Sequence, residues 1–86
     1  MITDKLYLSL LENLQKKGIE CKHLVMVAYA MAYASLTYTE ARDYYAEYLT
    51  VAPEVLQSWM CYDILRAGLE ESPSKIVAEL LKEESA

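Results

Sequence analysis

Apolar positions recur at helical spacing near the start of the chain. From residue 6 to residue 14, leucine and tyrosine return every three or four positions, and polar side chains collect on the opposite side. This period is typical of an amphipathic helix with one buried face. Thr3 is a suitable N-terminal cap, and Gly18 can adopt the left-handed conformation that ends a helix. The pattern therefore predicts a first helix between these two signals.

A second segment, residues 24–36, carries no charged side chain on any side. Its thirteen residues (LVMVAYAMAYASL) are fewer than the roughly 20 that a helix needs to cross a bilayer. We therefore expect a central core helix that is buried all round, and no membrane span. Tyr29 and Tyr33 are expected to stack along one side of this helix as part of the core.

Start and stop signals mark three further helices. Thr37 and Glu40 have the spacing of a capping box. Pro53 and Pro73 are each placed as the first residue of a helix, where the missing N–H would have been unpaired in any case. We predict helices from near Thr39 to near Thr50, from Pro53 to about Ala67, and from Pro73 onward, with Gly68 as a stop and residues 82–86 frayed.

No strand alternation, hairpin turn or internal repeat interrupts these segments. The predicted fold is all-α, a single helical domain over residues 1–86 built as a compact bundle of about five short helices. A domain of this size buries only about 60–65% of the surface of its unfolded chain. The chain holds more apolar surface than a monomer easily hides, because the second helix is apolar on every side and the fourth is apolar around most of its circumference. The apolar residues of the fourth helix are Met60, Cys61, Tyr62, Ile64 and Leu65. We therefore predict a homodimer or a complex with a protein partner.

The segment 42–61 carries a pattern of small and apolar positions around a predicted turn. Ala46 occupies the position of a small residue that faces the second helix, and Leu56 and Trp59 occupy apolar anchors on that helix. In these positions the segment resembles the helix-turn-helix of bacterial and phage regulators, although Thr50 stands where that family commonly has glycine. The resemblance implies a helix-turn-helix-like core and a recognition helix that lies in the major groove of DNA.

Carried over to this chain, the resemblance places Gln57 and Ser58 at positions that read bases. Lys16, Lys17 and Lys22 are the basic residues available to contact phosphates. The overall charge acts against DNA binding, because 13 acidic residues outnumber 8 basic ones and the net charge is −5. DNA affinity depends mostly on neutralising phosphates. A dimeric DNA-binding transcriptional regulator is therefore the alternative function, and not the leading one.

The third predicted helix carries an acidic face with aromatic edges. Glu40, Asp43 and Glu47 recur at i, i+3 and i+7 and therefore share one side. Tyr44 lies beside them, and Tyr48 lies at the border with the core positions. Tyrosine is enriched in the cores of interfaces, and carboxylates steer a basic partner into place. These five residues are the predicted protein-binding site, and a partner that carries Lys and Arg is expected there.

Catalytic and metal-binding patterns are missing from the sequence. Cys21, His23 and Cys61 lack the paired spacing of a structural zinc site, and a lone histidine leaves few general-base schemes. We therefore expect no enzymatic activity, no metal and no cofactor.

The leading hypothesis is a small regulatory or adaptor protein that binds another protein or itself. The first twenty residues lack the layout of a secretory signal, and two cysteines are too few to staple a small secreted domain. We therefore expect this protein in the cytoplasm.

Overall fold

Five α-helices in succession account for most of the chain. The structure is a computed structural model and describes residues 4–85. No strand occurs within that range, so the predicted all-α fold is confirmed. The helices are α1 (Lys5–Lys16), α2 (Lys22–Ala34), α3 (Tyr38–Leu49), α4 (Pro53–Arg66) and α5 (Pro73–Ser85).

Helices α1 and α3 begin at side chains that accept hydrogen bonds from free backbone amides. Asp4 caps α1 by accepting hydrogen bonds from two amides of its first turn; Thr3, the predicted cap, lies outside the described residues. The predicted capping box of α3 is confirmed, since the Glu40 amide donates to Thr37 Oγ1 at 3.2 Å and the Thr37 amide donates to Glu40 Oε1 at 2.9 Å. The hydrogen bond that the Thr37 amide donates is the largest cause that holds the pKa of the Glu40 carboxyl below its ordinary value.

Each of the four connections between successive helices contains one residue in the left-handed backbone conformation. Gly18 and Gly68 adopt it with φ of 79° and 81°, at the two positions where the sequence predicts helix stops. Ser35 ends α2 and Thr50 ends α3 in the same conformation, with φ of 54° and 61°. Thr50 therefore supplies the left-handed turn residue of the α3–α4 pair without being glycine.

Helix α2 lies at the centre of the bundle and packs against each of the other four helices. In its first half, Leu24, Val25, Val27 and Ala28 are fully buried. Its second half is not, because Ala32, Tyr33 and Ala34 are exposed to solvent. The expectation of a helix buried all round is therefore wrong: the surrounding helices do not cover the last turns of α2, and its apolar surface there remains accessible.

The core combines side chains from all five helices. Residues from α1, α4 and α5 close around the first half of α2, while α3 contributes two small residues. The largest fully buried side chains are Leu10, Leu14, Ile19, Leu24, Leu56, Met60, Ile64, Ile76 and Leu80.

Helix α5 continues through Ser85, whereas the sequence-based expectation had residues 82–86 frayed. Lys17 holds this end in place by pairing with Glu83 at 3.2 Å and with Glu79 at 3.5 Å. Ser9 donates a hydrogen bond to Glu84 on the same side. These polar contacts of Lys17 and Ser9 therefore keep α5 helical beyond the apolar residues that it buries in the core. Within residues 4–85, no helix is both long and apolar enough to traverse a bilayer.

Candidate functional site

The exposed half of α2 and the facing side of α3 enclose an apolar groove with a volume of about 540 Å³. No charged residue is among the described residues that line it. Five of the nine lining residues are tyrosines, which gives the walls large aromatic surfaces. The groove is lined by Met26, Tyr29, Ala30, Tyr33, Ala34, Leu36, Tyr44, Tyr45 and Tyr48.

The tyrosines form two stacked pairs, one on each helix. The rings of Tyr29 and Tyr33 lie 5.1 Å apart at an interplanar angle of 20°, and those of Tyr45 and Tyr48 lie 6.2 Å apart at 14°. Stacking of Tyr29 on Tyr33 was expected, but in a core. Tyr33 is instead 72% exposed, so this pair forms a wall of the groove.

Contacts inside the bundle hold the inner tyrosine of each pair in place. The Tyr29 hydroxyl donates to Asp4 Oδ2 at 3.2 Å, and its ring meets Tyr7 edge to face at 6.1 Å. The Tyr45 hydroxyl lies 3.3 Å from His23 Nδ1, and burial raises the pKa of Tyr45 above its ordinary value. The outer tyrosines stack on these fixed rings, so the groove is largely formed before any partner arrives.

The structure brings together three of the five predicted protein-binding residues. Tyr44, Glu47 and Tyr48 line a second cavity of about 340 Å³ on α3. Tyr44 and Tyr48 also line the groove and are 68% and 77% exposed. The two cavities therefore adjoin along α3, with the Glu47 carboxylate at their edge.

The other two predicted residues serve contacts within the chain. Glu40 belongs to the capping box of α3. The Asp43 carboxylate accepts from the Arg42 guanidinium at 2.9 Å. Within residues 4–85, Glu47 makes no ion pair. The acidic face is consequently reduced to one carboxylate without an internal partner, placed beside exposed tyrosines.

Sequence reasoning missed the α2 side of the groove. Met26, Ala30, Ala34 and Leu36 belong to the uncharged run that was interpreted as core. A signal was present, because the sequence predicts more apolar surface than a monomer easily hides. That signal predicts a binding surface without saying which residues form it.

The two base-reading candidates are occupied by contacts within the chain. Gln57 Oε1 accepts from the Tyr38 hydroxyl at 2.5 Å and lies 3.5 Å from Arg42 Nη1. The Ser58 hydroxyl donates to the Glu54 carbonyl at 2.9 Å, within α4. Either side chain would have to give up these bonds to read a base.

The three candidate phosphate-binding lysines do not form a free basic patch. Lys16 lies 3.7 Å from Glu12, one turn earlier on α1. Lys17 is held by two carboxylates of α5, and the hydrogen bond to Glu83 is the largest cause that raises its pKa. Lys22 is exposed at the start of α2.

A second apolar surface lies on the outer face of α4, where Val55, Trp59, Tyr62 and Leu65 are exposed. Leu56 is buried, as expected for an anchor of a helix-turn-helix. Trp59, the second predicted anchor, is 41% exposed and stacks on His23, with the ring centroids 5.4 Å apart. Trp59 therefore contributes both to the outer surface of α4 and to a ring contact with α2.

The cysteines and the histidine do not form a metal centre. Cys21 is buried, and this burial raises the pKa of its thiol to about 12. His23 packs between Tyr45 and Trp59. In the part of the chain that the structure describes, no group of three His, Cys, Asp or Glu residues could hold a metal ion.

The groove and the outer face of α4 are the two surfaces of the described chain that bear on function. Comparisons with protein-family models, with curated proteins and with solved structures find no match for this chain.

Proposed function

We propose that this chain is a small non-enzymatic regulatory or adaptor protein that acts by binding another protein through the groove between α2 and α3. The observation that carries the proposal is the apolar groove itself, walled by tyrosines of which Tyr33, Tyr44 and Tyr48 are exposed. Exposed apolar patches of this kind mark interaction sites. Tyrosine is also among the residues that dominate binding energy at interfaces.

The construction of the groove favours tight binding. Ordering flexible side chains on association costs roughly 0.5–1.5 kcal/mol per side chain. Tyr29 and Tyr45 are already fixed by their contacts with Asp4 and His23, and the outer rings stack on them. A partner would therefore meet aromatic surfaces that lose little further freedom.

Self-association through the outer face of α4 is a second candidate. Trp59, Tyr62 and Leu65 give this face its own apolar surface. Glu54 and Arg66, one acidic and one basic, stand at the two ends of α4. Two copies that pair through this face would thus bring charges of both signs to the interface. This surface supports the homodimer that the apolar composition predicts.

Both cysteines are free, which fits the reducing conditions of the cytoplasm and supports the proposed location there.

DNA binding as a dimeric regulator has less support. Gln57 and Ser58 are bonded within the chain, and Lys16 and Lys17 are paired with carboxylates. Breaking those pairs to reach phosphates would offset part of the gain from releasing counterions.

A DNA titration tests this ranking. We expect no saturable binding to mixed-sequence duplex DNA at about 50 mM salt, where the attraction to phosphates is strongest, nor at about 200 mM. The measurement is fluorescence anisotropy of labelled DNA, on protein whose mass in solution is known from light scattering. Binding that falls steeply with salt and is weakened by Lys22→Glu would instead favour the transcriptional regulator.

Peptide selection tests the groove directly. Peptides selected from a displayed random library for binding to the wild-type protein are expected to lose affinity about tenfold or more for Tyr48→Ala, since an exposed aromatic at the centre of an interface carries much of its binding energy. The matched control is Tyr62→Ala on α4, because Tyr62 is also an exposed helical tyrosine but lies outside the groove. Affinities are measured by isothermal titration calorimetry on variants with unchanged circular dichroism.

The two variants separate the surfaces. Peptides that bind Tyr48→Ala and the wild type equally, or no selected peptide at all, would contradict the proposed function. Peptides weakened only by Tyr62→Ala would assign binding to the face of α4.

A further inference from the structure

The chemistry around the groove points to one class of occupant. We propose that the groove binds an amphipathic helix whose apolar side enters between α2 and α3 and whose edge carries Lys or Arg toward Glu47. This inference rests on the proposed function, which it narrows from a protein partner to a basic helical segment.

The lining of the groove suits an apolar helix face. Its walls are aromatic, and Ala30 and Ala34 lie between larger side chains on α2. The distance at which two helices pack depends on the side chains at their contact, so these alanines allow a third helix to approach closely. Helices that bind in grooves insert apolar residues at i, i+3 or i+4, and i+7. Those anchors would contact Tyr33 and Tyr48 on opposite walls.

The edge of the groove is negative. Glu47 is exposed and makes no ion pair within residues 4–85. Its carboxylate shares a cavity with the exposed rings of Tyr44 and Tyr48. A Lys or Arg in that cavity would pair with the carboxylate and also lie against an aromatic ring, two interactions that favour a cation.

The end of α2 adds to this negative potential. Ala34 is the last residue of α2 and lines the groove together with Leu36. The carboxyl end of a helix carries partial negative charge. The last turn of α2 holds no basic residue to compensate it. Within the described chain, no cationic side chain lines either cavity.

A second copy of this chain fits the groove less well. Pairing through the same face in a two-fold dimer would bring the two Glu47 carboxylates to one interface, and like charges at an interface are unfavourable. The chain as a whole carries a net charge of −5. The Glu47 carboxylate and the negative net charge both favour binding of a basic partner, and both oppose binding of a second copy.

Three synthetic helical peptides of about 18 residues, or five turns, test the charge of the occupant. The first peptide has leucine at positions i, i+3 or i+4, and i+7, and lysine at the other positions. The second replaces each lysine with glutamate. The third keeps the lysines and replaces each leucine with serine. Binding is followed by anisotropy of the labelled peptide. We expect the first peptide to bind, and the other two to bind more weakly by about tenfold or more. The affinity of the first peptide should fall as salt rises from about 0.05 M to about 0.5 M.

Variants of the protein assign the site. Glu47→Lys is expected to weaken the leucine-lysine peptide about tenfold, while Glu70→Lys changes the net charge equally but at an exposed position between α4 and α5 and should have little effect. Tyr48→Ala should also weaken this peptide, whereas Leu8→Ala, which truncates an exposed apolar side chain of α1 outside both surfaces, should not. All four positions are exposed, so the variants are expected to fold, which circular dichroism verifies.

Each result distinguishes the inference from the proposed function. If the glutamate peptide binds as well as the lysine peptide, or Glu47→Lys has no effect, the basic partner is wrong while the groove remains a binding site. If no peptide is sensitive to Tyr48→Ala, the groove itself is not the site. A dimer in light scattering that dissociates on Tyr48→Ala would identify a second copy as the occupant and overturn the inference.

Discussion

Replacing Leu24 with alanine is expected to lower the free energy of unfolding by about 2–5 kcal/mol. Leu24 lies near the start of α2 and is fully buried where the other helices converge on the central one. Removing its branched end costs the transfer free energy of the lost atoms and leaves a cavity that the surrounding helices only partly fill. A domain of this size is stable by about 5–15 kcal/mol, so this single substitution removes a large fraction of its stability.

Urea denaturation followed by circular dichroism measures this loss. The control is Leu65→Ala on α4, which removes the same atoms from a side chain that is 63% exposed. We expect the control to change stability by no more than about 0.5 kcal/mol. Equal effects of the two substitutions would mean that the first half of α2 is not the centre of the core.

Enlarging Ala46 to leucine is expected to cost about 1–3 kcal/mol. Ala46 is fully buried on α3, next to the turn that leads into α4, and its carbonyl accepts from the Val51 amide at 3.0 Å. A larger side chain there must push α3 away from its neighbours or adopt a strained rotamer, because protein interiors have few voids. The close packing of α3 at this point depends on this small residue.

Ala78→Leu on the exposed side of α5 is the matched control for Ala46→Leu. Both substitutions add the same atoms to a helix and differ in the space available. Thermal unfolding should show a clear loss for Ala46→Leu and almost none for Ala78→Leu. If Ala46→Leu unfolds at the wild-type temperature, the interior around α3 is not tightly packed at this point.

The boundaries of the helices were largely predictable because their signals are local. The capping box at Thr37, the prolines that open α4 and α5, and the left-handed glycines at positions 18 and 68 each act within a few residues of the chain. No knowledge of the rest of the fold is needed to recognise them.

The groove could be predicted only in part, because it depends on which helices cover which surface. Tyr44 and Tyr48, which line the groove, were predicted from the face they share on α3. The α2 side was missed, since an uncharged helix is consistent with full burial until the lengths and positions of its neighbours are known. Trp59 was assigned to the interior for a similar reason, and its contact with His23 requires α2 and α4 to pack together.

The junction between α1 and α5 joins parts of the chain that are far apart in sequence, since Ser9 and Glu84 are separated by 75 positions. Helix α5 also supplies Ile76, Val77 and Leu80 to the common core. During synthesis on the ribosome, α1 to α4 therefore emerge first with that part of the core still open to water. The domain can complete its folding only after α5 has left the exit tunnel, and until then its newly made helices offer an apolar surface to chaperones.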